Sequence, residues 1–562
     1  MFYYAALALL LCASLEAAPK LRLVTTTVGP VSVTQGSNPN AQTVEAYNAG
    51  DGNLNLSATS TVAWVSASIG GSRPCNLREG SCLPVNFQFQ TNELAAGTYT
   101  GTVTLRDPNA LDAPQNITVT VQIGGGVPSE VNLFVPPNGS SDELRFTTNS
   151  VLVPNVNTSS GGSWLSLALE GSGSFRFVFP YRVIGRHLEE MPEGQYSGTV
   201  AVSNSQVAAE NKTIQVRLNV TSQPIARSVQ REFSFRIAEG APALEVPLNL
   251  FNGGLGTLTL SDATATAASG GSWLSVQRDG NRVTVKADPA GLSTGVYTGT
   301  LSIASNAANS PLRVPARLEV VAQGPPTAAF GGILNSANFD AGLAPGSVAA
   351  IFGEQLSMQP PGSASAVPLE TQLNGVRVLV NDQAAPIYYT SSNQVNFQLP
   401  INTPAGSEAV IKVERDGTAG NGVAVPIAER APRIITIGNN GIVVNARDGS
   451  MVNFGGRPAK PGDVLTIYLV GMGVTDPVVA TGTSAPAAEP LARVTPEPKV
   501  ILGSPFMGTI VLEPLFAGLT PSLVGLYQMN VELPLDVPIG DIFLGVEGDG
   551  YRSNNIMIPI RE

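Results

Sequence analysis

A tandem row of about five all-β sandwich domains behind an export signal is the architecture this sequence predicts, and three observations predict it. First, a pair of motifs recurs at a spacing of roughly 100 residues, enough for a module with its own core. Gly270-Gly271-Ser272-Trp273-Leu274-Ser275 leads to Gly295-Val296-Tyr297-Thr298-Gly299-Thr300. Gly161-Gly162-Ser163-Trp164-Leu165-Ser166 leads to Gly194-Gln195-Tyr196-Ser197-Gly198-Thr199, and Ala63-Trp64-Val65-Ser66 to Gly97-Thr98-Tyr99-Thr100-Gly101-Thr102. These elements hold all three tryptophans of the chain. Second, each repeat closes on a strand of strict period-two alternation, the pattern of a half-buried antiparallel sheet. Third, only 13% of the 562 residues are charged while 59 are Gly and 43 Pro, which suits short strands and turns rather than long surface helices. A hydrophobic content of 43% argues against disorder.

Taken in order, residues 1–17 read as the export signal. Ala5 to Leu11 is an apolar h-region, and Leu15-Glu16-Ala17 before Ala18-Pro19 offers a small-residue cleavage site, although the n-region lacks Lys and Arg. Cys12 follows Leu9-Leu10-Leu11, which leaves a lipoprotein signal as the alternative; Leu11 is larger than the small residue such signals want there. No further hydrophobic run reaches membrane-spanning length, so no transmembrane helix is expected in the mature chain. Cys75 and Cys82 then remain as an even pair, which in an exported chain predicts a disulfide closing a short loop.

The modules fall at 20–124, 125–222 and 223–323, punctuated by Gly124-Gly125-Gly126 and Gln323-Gly324-Pro325-Pro326. Their closing strands place Ile117, Val119, Val121 and Ile123 on one face in the first, and Ile214, Val216, Leu218 and Val220 in the second. In the third, Leu312, Val314, Ala316, Leu318 and Val320 share the buried face, with Arg313, Arg317 and Glu319 on the other. The remainder divides into 327–430 and 431–562. Ala344-Pro345-Gly346-Ser347-Val348 opens one unit and Lys460-Pro461-Gly462-Asp463-Val464 the other. Each later has a matching strand: Gln394-Val395-Asn396-Phe397-Gln398-Leu399-Pro400, and Gln528-Met529-Asn530-Val531-Glu532-Leu533-Pro534.

Through the Trp-Leu-Ser and Gly-x-Tyr-x-Gly-Thr elements, and through Leu250-Phe251-Asn252-Gly253-Gly254 echoed at Tyr47-Asn48-Ala49-Gly50, the first three modules resemble the BACON family of bacterial immunoglobulin-like domains. That resemblance implies a carbohydrate- or mucin-binding role. Residues 330–562 look like the uncharacterised C-terminal domain family described from Solibacter. The strings that carry this are Asn335-Ser336-Ala337-Asn338-Phe339, Leu343-Ala344-Pro345-Gly346-Ser347, Leu373-Asn374-Gly375-Val376 and Val524-Gly525-Leu526-Tyr527-Gln528-Met529-Asn530. Each half is also similar to IPT/TIG immunoglobulin-like domains. The resemblance implies a C-terminal module on large exported proteins.

Candidates for chemistry are few. A net charge of −11 leaves no basic face for phosphates, so nucleic acid is not an expected partner. The single histidine, His187, sits in Arg186-His187-Leu188-Glu189-Glu190 without a nucleophile elbow and reads as a loop residue. The acid pairs Glu189 and Glu190, or Asp536 and Asp541, lack a context for two-carboxylate hydrolysis. Calcium at the Asn48–Asn53 turn through Asp51 is weaker than a turn that uses Asn, Gly and Asp for positive φ. Gly331-Gly332 lacks the ending of a phosphate loop. No cofactor, metal or catalytic residue is expected. Trp64, Trp164 and Trp273 are either sugar platforms or core plugs, the latter favoured because leucine or valine flanks them. Phe175, Phe177 and Phe179 share a strand face and read as core, and Tyr388-Tyr389 is a weak binding candidate with one ring outward.

The reading is therefore an all-β tandem array of about five immunoglobulin-like β-sandwiches after a signal peptide, non-catalytic, secreted or held in the cell envelope. Binding or adhesion is the leading role, with polysaccharide or glycan as ligand class and other envelope proteins as further partners; the specific ligand-binding residues are not identified. Alternatives are a structural stalk or matrix protein with protein partners, and an accessory module of a hydrolase system.

Overall fold

The computed structural model describes residues 18–170, 178–438, 440–452, 457–503, 508–548 and 550–562. The expected export signal with Cys12, and Phe175 and Phe177, lie outside the described residues. Among the described residues the regular structure is strand throughout, apart from one 3-10 turn, Ala208–Glu210. The all-β expectation holds. No helix there is long and apolar enough to cross a membrane. The chain divides into two compact units, Met1–Gly125 and Gly126–Glu562.

The first unit is a sandwich. Its strand Thr27–Val33 pairs in parallel with the last strand, Gln115–Ile123, which continues antiparallel to Gly97–Arg106 and thence to Ser57–Ser60. Facing it are Leu21–Leu23, Gln42–Asn48, Ser81–Phe89 and Val65–Ile69. An early strand parallel to the closing one, with sequence-interleaved sheets, is the immunoglobulin arrangement. The second unit opens with two more copies. Glu130–Val135 runs parallel to Thr213–Val220, and Phe233–Ala238 parallel to Leu312–Val321, each beside the strand bearing the Tyr-x-Gly motif. Each copy encloses its own apolar cluster.

The recurrent motifs are one packing device. Trp164 and Trp273 are almost fully buried, their indole N–H groups donating to the Ser160 and Ser269 carbonyls at 2.9 and 3.1 Å. Trp64 is half-buried against its core. The hydroxyls of Tyr99, Tyr196 and Tyr297 each donate to the carbonyl four residues back (Ala95, Pro192 and Ser293), tying the loop to the strand. Glycine is required where these rings land. Gly270 has φ +80° and a Cβ there would collide with the Tyr297 ring, while one on Gly299 would lie 2.7 Å from Leu274 Cδ2. The Asn-x-Gly element is a second device. Asn252 Oδ1 accepts the N–H groups of Ile225 and Gly254 while Nδ2 donates to the Gly256 carbonyl at 2.9 Å. Asn48 does the same with Lys20, Gly50 and Gly52.

One face assignment is corrected. Glu319, expected on the solvent side, is only 2% exposed. Two arginines cover it: Arg236 on the paired strand, 3.5 Å away, and Arg317, 3.4 Å away. Arg236 then reaches forward, its Nη1 donating to both Glu354 oxygens at 2.7 and 2.8 Å. A charge can be buried when it is paired this closely, and alternation alone does not reveal what covers a strand.

Residues from Thr327 to Ile427 and from Arg433 to Ile560 form two further sandwiches, each with its own core cluster. Their sheets differ in strand number, but the turn and strand pair that open each correspond residue by residue. The bridges Leu343↔Ile427 and Ala459↔Ile560 are both parallel and both immediately precede the Pro-Gly turn. In one, Ser347 Oγ accepts the Ala344 N–H at 3.0 Å; in the other, Asp463 Oδ2 accepts the Lys460 N–H at 2.8 Å. Val348–Glu354 then pairs with Gln394–Gln398 in the register Val348↔Gln398, and Val464–Val470 with Tyr527–Glu532 in the register Val464↔Glu532.

Within the second unit the sandwiches are joined unequally. The side-chain bonds at the first joint come from Arg227, which bonds the Phe134 carbonyl at 3.0 Å and Asp142 at 2.9 Å. The next adds the Arg236–Glu354 pair to Gln355, which accepts the Gly324 N–H and donates to the Ala322 carbonyl. The last is the most heavily bonded of the three. Leu369 N–H donates to Gly482 O, Gly482 N–H to Gln398 Oε1, Ile401 N–H to Thr481 Oγ1, and Thr436 N–H to Ala337 O.

Candidate functional site

Most residues singled out for chemistry are absorbed by packing or turns. His187 is a half-buried loop residue whose Nε2 lies 3.0 Å from the Met191 carbonyl, and Glu189 and Glu190 are exposed beside it. Asp541 pairs with Arg561 at 2.6 Å, and Asp536 is an exposed loop residue. Asp51 contributes only its carbonyl to the Asn48 turn. Gly331-Gly332 lies in an irregular stretch of the strand Thr327–Asn335. Phe179 packs at the edge of the second core.

Cys75 and Cys82 form the expected disulfide, with Cα atoms 5.0 Å apart. The Glu45 carboxylate beside it accepts the Asn76 N–H at 3.0 and 3.1 Å and pairs with Arg73 at 2.9 Å, so its acceptors are engaged by the loop. A shallow cleft of about 330 Å³ lies between Leu250, Leu258, Leu260, Asn252 and Asn281 in the third module. Asn281 spends both ends of its amide on the chain, accepting from Leu260 N–H and donating to Leu258 O, so the cleft offers little polar reach.

The tyrosine pair leads elsewhere. Tyr388 and Tyr389 lie within the strand Ile387–Thr390, with Tyr388 in a bulge. The Tyr388 hydroxyl donates to the Val524 carbonyl at 3.0 Å across the last joint, and burial holds its phenol above the ordinary tyrosine pKa. Tyr389 lies opposite Asn396 on the outward face. The register puts Leu334, Ala350, Asn396, Tyr389 and Ser363 in one row across five strands, with Phe352 opposite Gln394 beside it. Ile351, Val395 and Phe397, the residues between, point into the core.

This outward face has a specific chemistry. Gln394 Nε2 donates to Asn396 Oδ1 at 2.8 Å. One acceptor, Gln394 Oε1, and one donor, Asn396 Nδ2, take no part in that bond. Half-buried Phe352 flanks them, with Phe339, 51% exposed, set edge-on to it at 5.4 Å. Neither of these rows carries a charged side chain. The lower end of the same face is closed by the fifth sandwich, through Gly482 on Gln398 and Val524 on Tyr388. Rings beside a bound amide pair can stack on an apolar sugar face while the amides meet its hydroxyls.

No family model matches this chain, and no curated protein matches it. Among solved structures, an endo-fucoidan hydrolase of glycoside hydrolase family 107 is similar at 15% identity, over 55% of this chain and 45% of its own, with a TM-score of 0.18. This chain therefore spans less than half of that enzyme's length. The human desmocollin-1 ectodomain is similar at 10% identity over 74% of this chain and 80% of its own, with a TM-score of 0.16. The titin fragment I67–I69 is similar at 9% identity over 54% and 99%, with a TM-score of 0.14. Likenesses this distant carry no functional argument.

Proposed function

We propose that this chain is an exported, non-catalytic binding and adhesion protein of the cell envelope or extracellular space, and that the outward face of its fourth sandwich takes a neutral saccharide. The observation that carries this reading is the uncharged row in which Gln394 and Asn396 present a donor and an acceptor beside Phe352 and Tyr389. The Cys75–Cys82 disulfide supports an oxidising compartment. The likeness to BACON-type repeats and to the Solibacter-type C-terminal domain belongs to the same proposal, and the immunoglobulin strand order agrees with it.

A glycan-array screen of the full chain beside Gln394→Ala/Asn396→Ala tests the reading. Saturable signal on neutral glycans, reduced in the double variant with the thermal midpoint unchanged, is the expected result. Signal that is undiminished in the variant moves the site off this face. The joints favour a second reading, a structural spacer with protein partners, because the bonds from Gly482, Thr481 and Val524 hold two sandwiches in fixed relation. A chain that captures no glycan at all would leave that reading in front.

A further inference from the structure

We propose that the fifth sandwich carries a second saccharide subsite, built from Tyr468, Gln528 and Asn530 at the place equivalent to the face just described. The inference rests on the saccharide reading of the fourth sandwich. The shared register makes the correspondence residue by residue. Phe352 opposite Gln394 becomes Tyr468 opposite Gln528, and Ala350 opposite Asn396 becomes Thr466 opposite Asn530. Tyr389 opposite Asn396 becomes Phe516 opposite Asn530. The intervening Ile467, Met529 and Val531 point into the core, so these side chains lie on the opposite side of the sheet, where Tyr468, Gln528 and Asn530 are half-buried while Thr466 and Phe516 are buried.

The amide logic is also repeated. Asn530 Oδ1 accepts from Thr466 Oγ1 at 3.1 Å and from Gln528 Nε2 at 3.4 Å, bonds in which Gln528 Oε1 and Asn530 Nδ2 take no part. Packing does not demand this. An outward strand position tolerates many polar or β-branched residues, yet a ring beside Gln-x-Asn stands there in both sandwiches. The two sites differ in their second ring. Phe516 is covered by the Arg493 guanidinium at 5.0 Å, and Glu489 pairs with that arginine at 3.2 Å. Tyr468 is therefore the stacking ring, and the paired charge keeps the face suited to a neutral, hydroxyl-rich ligand.

Isothermal titration of the full chain with xylohexaose, cellohexaose, laminarihexaose and mannohexaose counts the sites. The expected result is two molecules of a binding hexaose per chain, one in Gln394→Ala/Asn396→Ala, one in Gln528→Ala/Asn530→Ala, and none in the combination. Tyr468→Ala, which leaves the hydrogen bonds to Asn530 in place, repeats the loss and keeps the test valid if the amide variant unfolds. Unchanged stoichiometry in both fifth-sandwich variants overturns the second subsite and leaves the first intact. Absence of heat with all four hexaoses, in the unmodified chain, overturns both.

Discussion

In the third sandwich Trp273 and Tyr297 converge on a core, their polar atoms spent on carbonyls of their own loops, whereas in the fourth and fifth Gln394-x-Asn396 and Gln528-x-Asn530 stand on solvent-facing sides of equally regular strands. Both sets recur within the chain. Recurrence alone therefore does not separate a packing device from a recognition device; the direction of the side chain does. In the first group the glycines are consequences of the rings, since a Cβ at Gly270 or Gly299 has nowhere to go. In the second, apolar partners lie at the alternate positions, and each amide pair keeps one donor and one acceptor outside the bond between its two members.

Removing a core ring should show the largest effect. Trp273→Ala should cost about 3–5 kcal/mol by chemical denaturation, as the loss of a fully buried aromatic does, while leaving saccharide retention by the folded chain unchanged. Arg236→Ala comes next, because it strips one of the arginines over the nearly buried Glu319 and unties Glu354 across the joint. A cost of about 3 kcal/mol is expected. Arg236→Lys should recover only part of it, since a single ammonium cannot bridge Glu319 and Glu354 as Nε and Nη1 do.

Alkaline pH should act on the C-terminal pair. Burial raises the pKa values of Tyr388 and Tyr527, so the folded chain keeps two protons that the unfolded chain releases. Stability is then intact below about pH 10 and falls above it, by about 1.4 kcal/mol per phenol per pH unit. Tyr388→Phe and Tyr527→Phe should each flatten the slope of thermal midpoint against pH. Replacing Cys75 and Cys82 by serine should cost about 2 kcal/mol, because the loop is short. That loss should be confined to the first unit, as read by hydrogen exchange. Smallest of all, Gln394→Ala/Asn396→Ala should change stability by less than about 0.5 kcal/mol.

The all-β class, the burial of Trp164 and Trp273 and the Cys75–Cys82 bond were legible in the sequence, because alternation, flanking leucines and an even cysteine pair each have a local cause. Glu319 was not. Its burial depends on Arg236, more than eighty residues earlier in the chain, and on what the fourth sandwich brings to the joint. The candidate face was half legible. Both Gln-x-Asn strings stand out as matching strands, and alternation already places their amides opposite the apolar residues. What brings Phe352 or Tyr468 beside them is strand register, and register is set by the Pro-Gly turns and the parallel bridges rather than by the strands themselves. Tyr388 and Tyr389 illustrate the same limit: one bulge sends one ring into the joint and the other onto the face.

The most direct test sets Trp273→Ala against Gln394→Ala/Asn396→Ala in one paired measurement of denaturation midpoint and hexaose binding. The inward–outward distinction predicts a lowered midpoint with full hexaose stoichiometry for the first, and an unchanged midpoint with one hexaose site lost for the second. A folded Trp273→Ala protein that no longer binds, beside a face variant with unchanged stoichiometry, would make the tryptophan the platform and contradict the account.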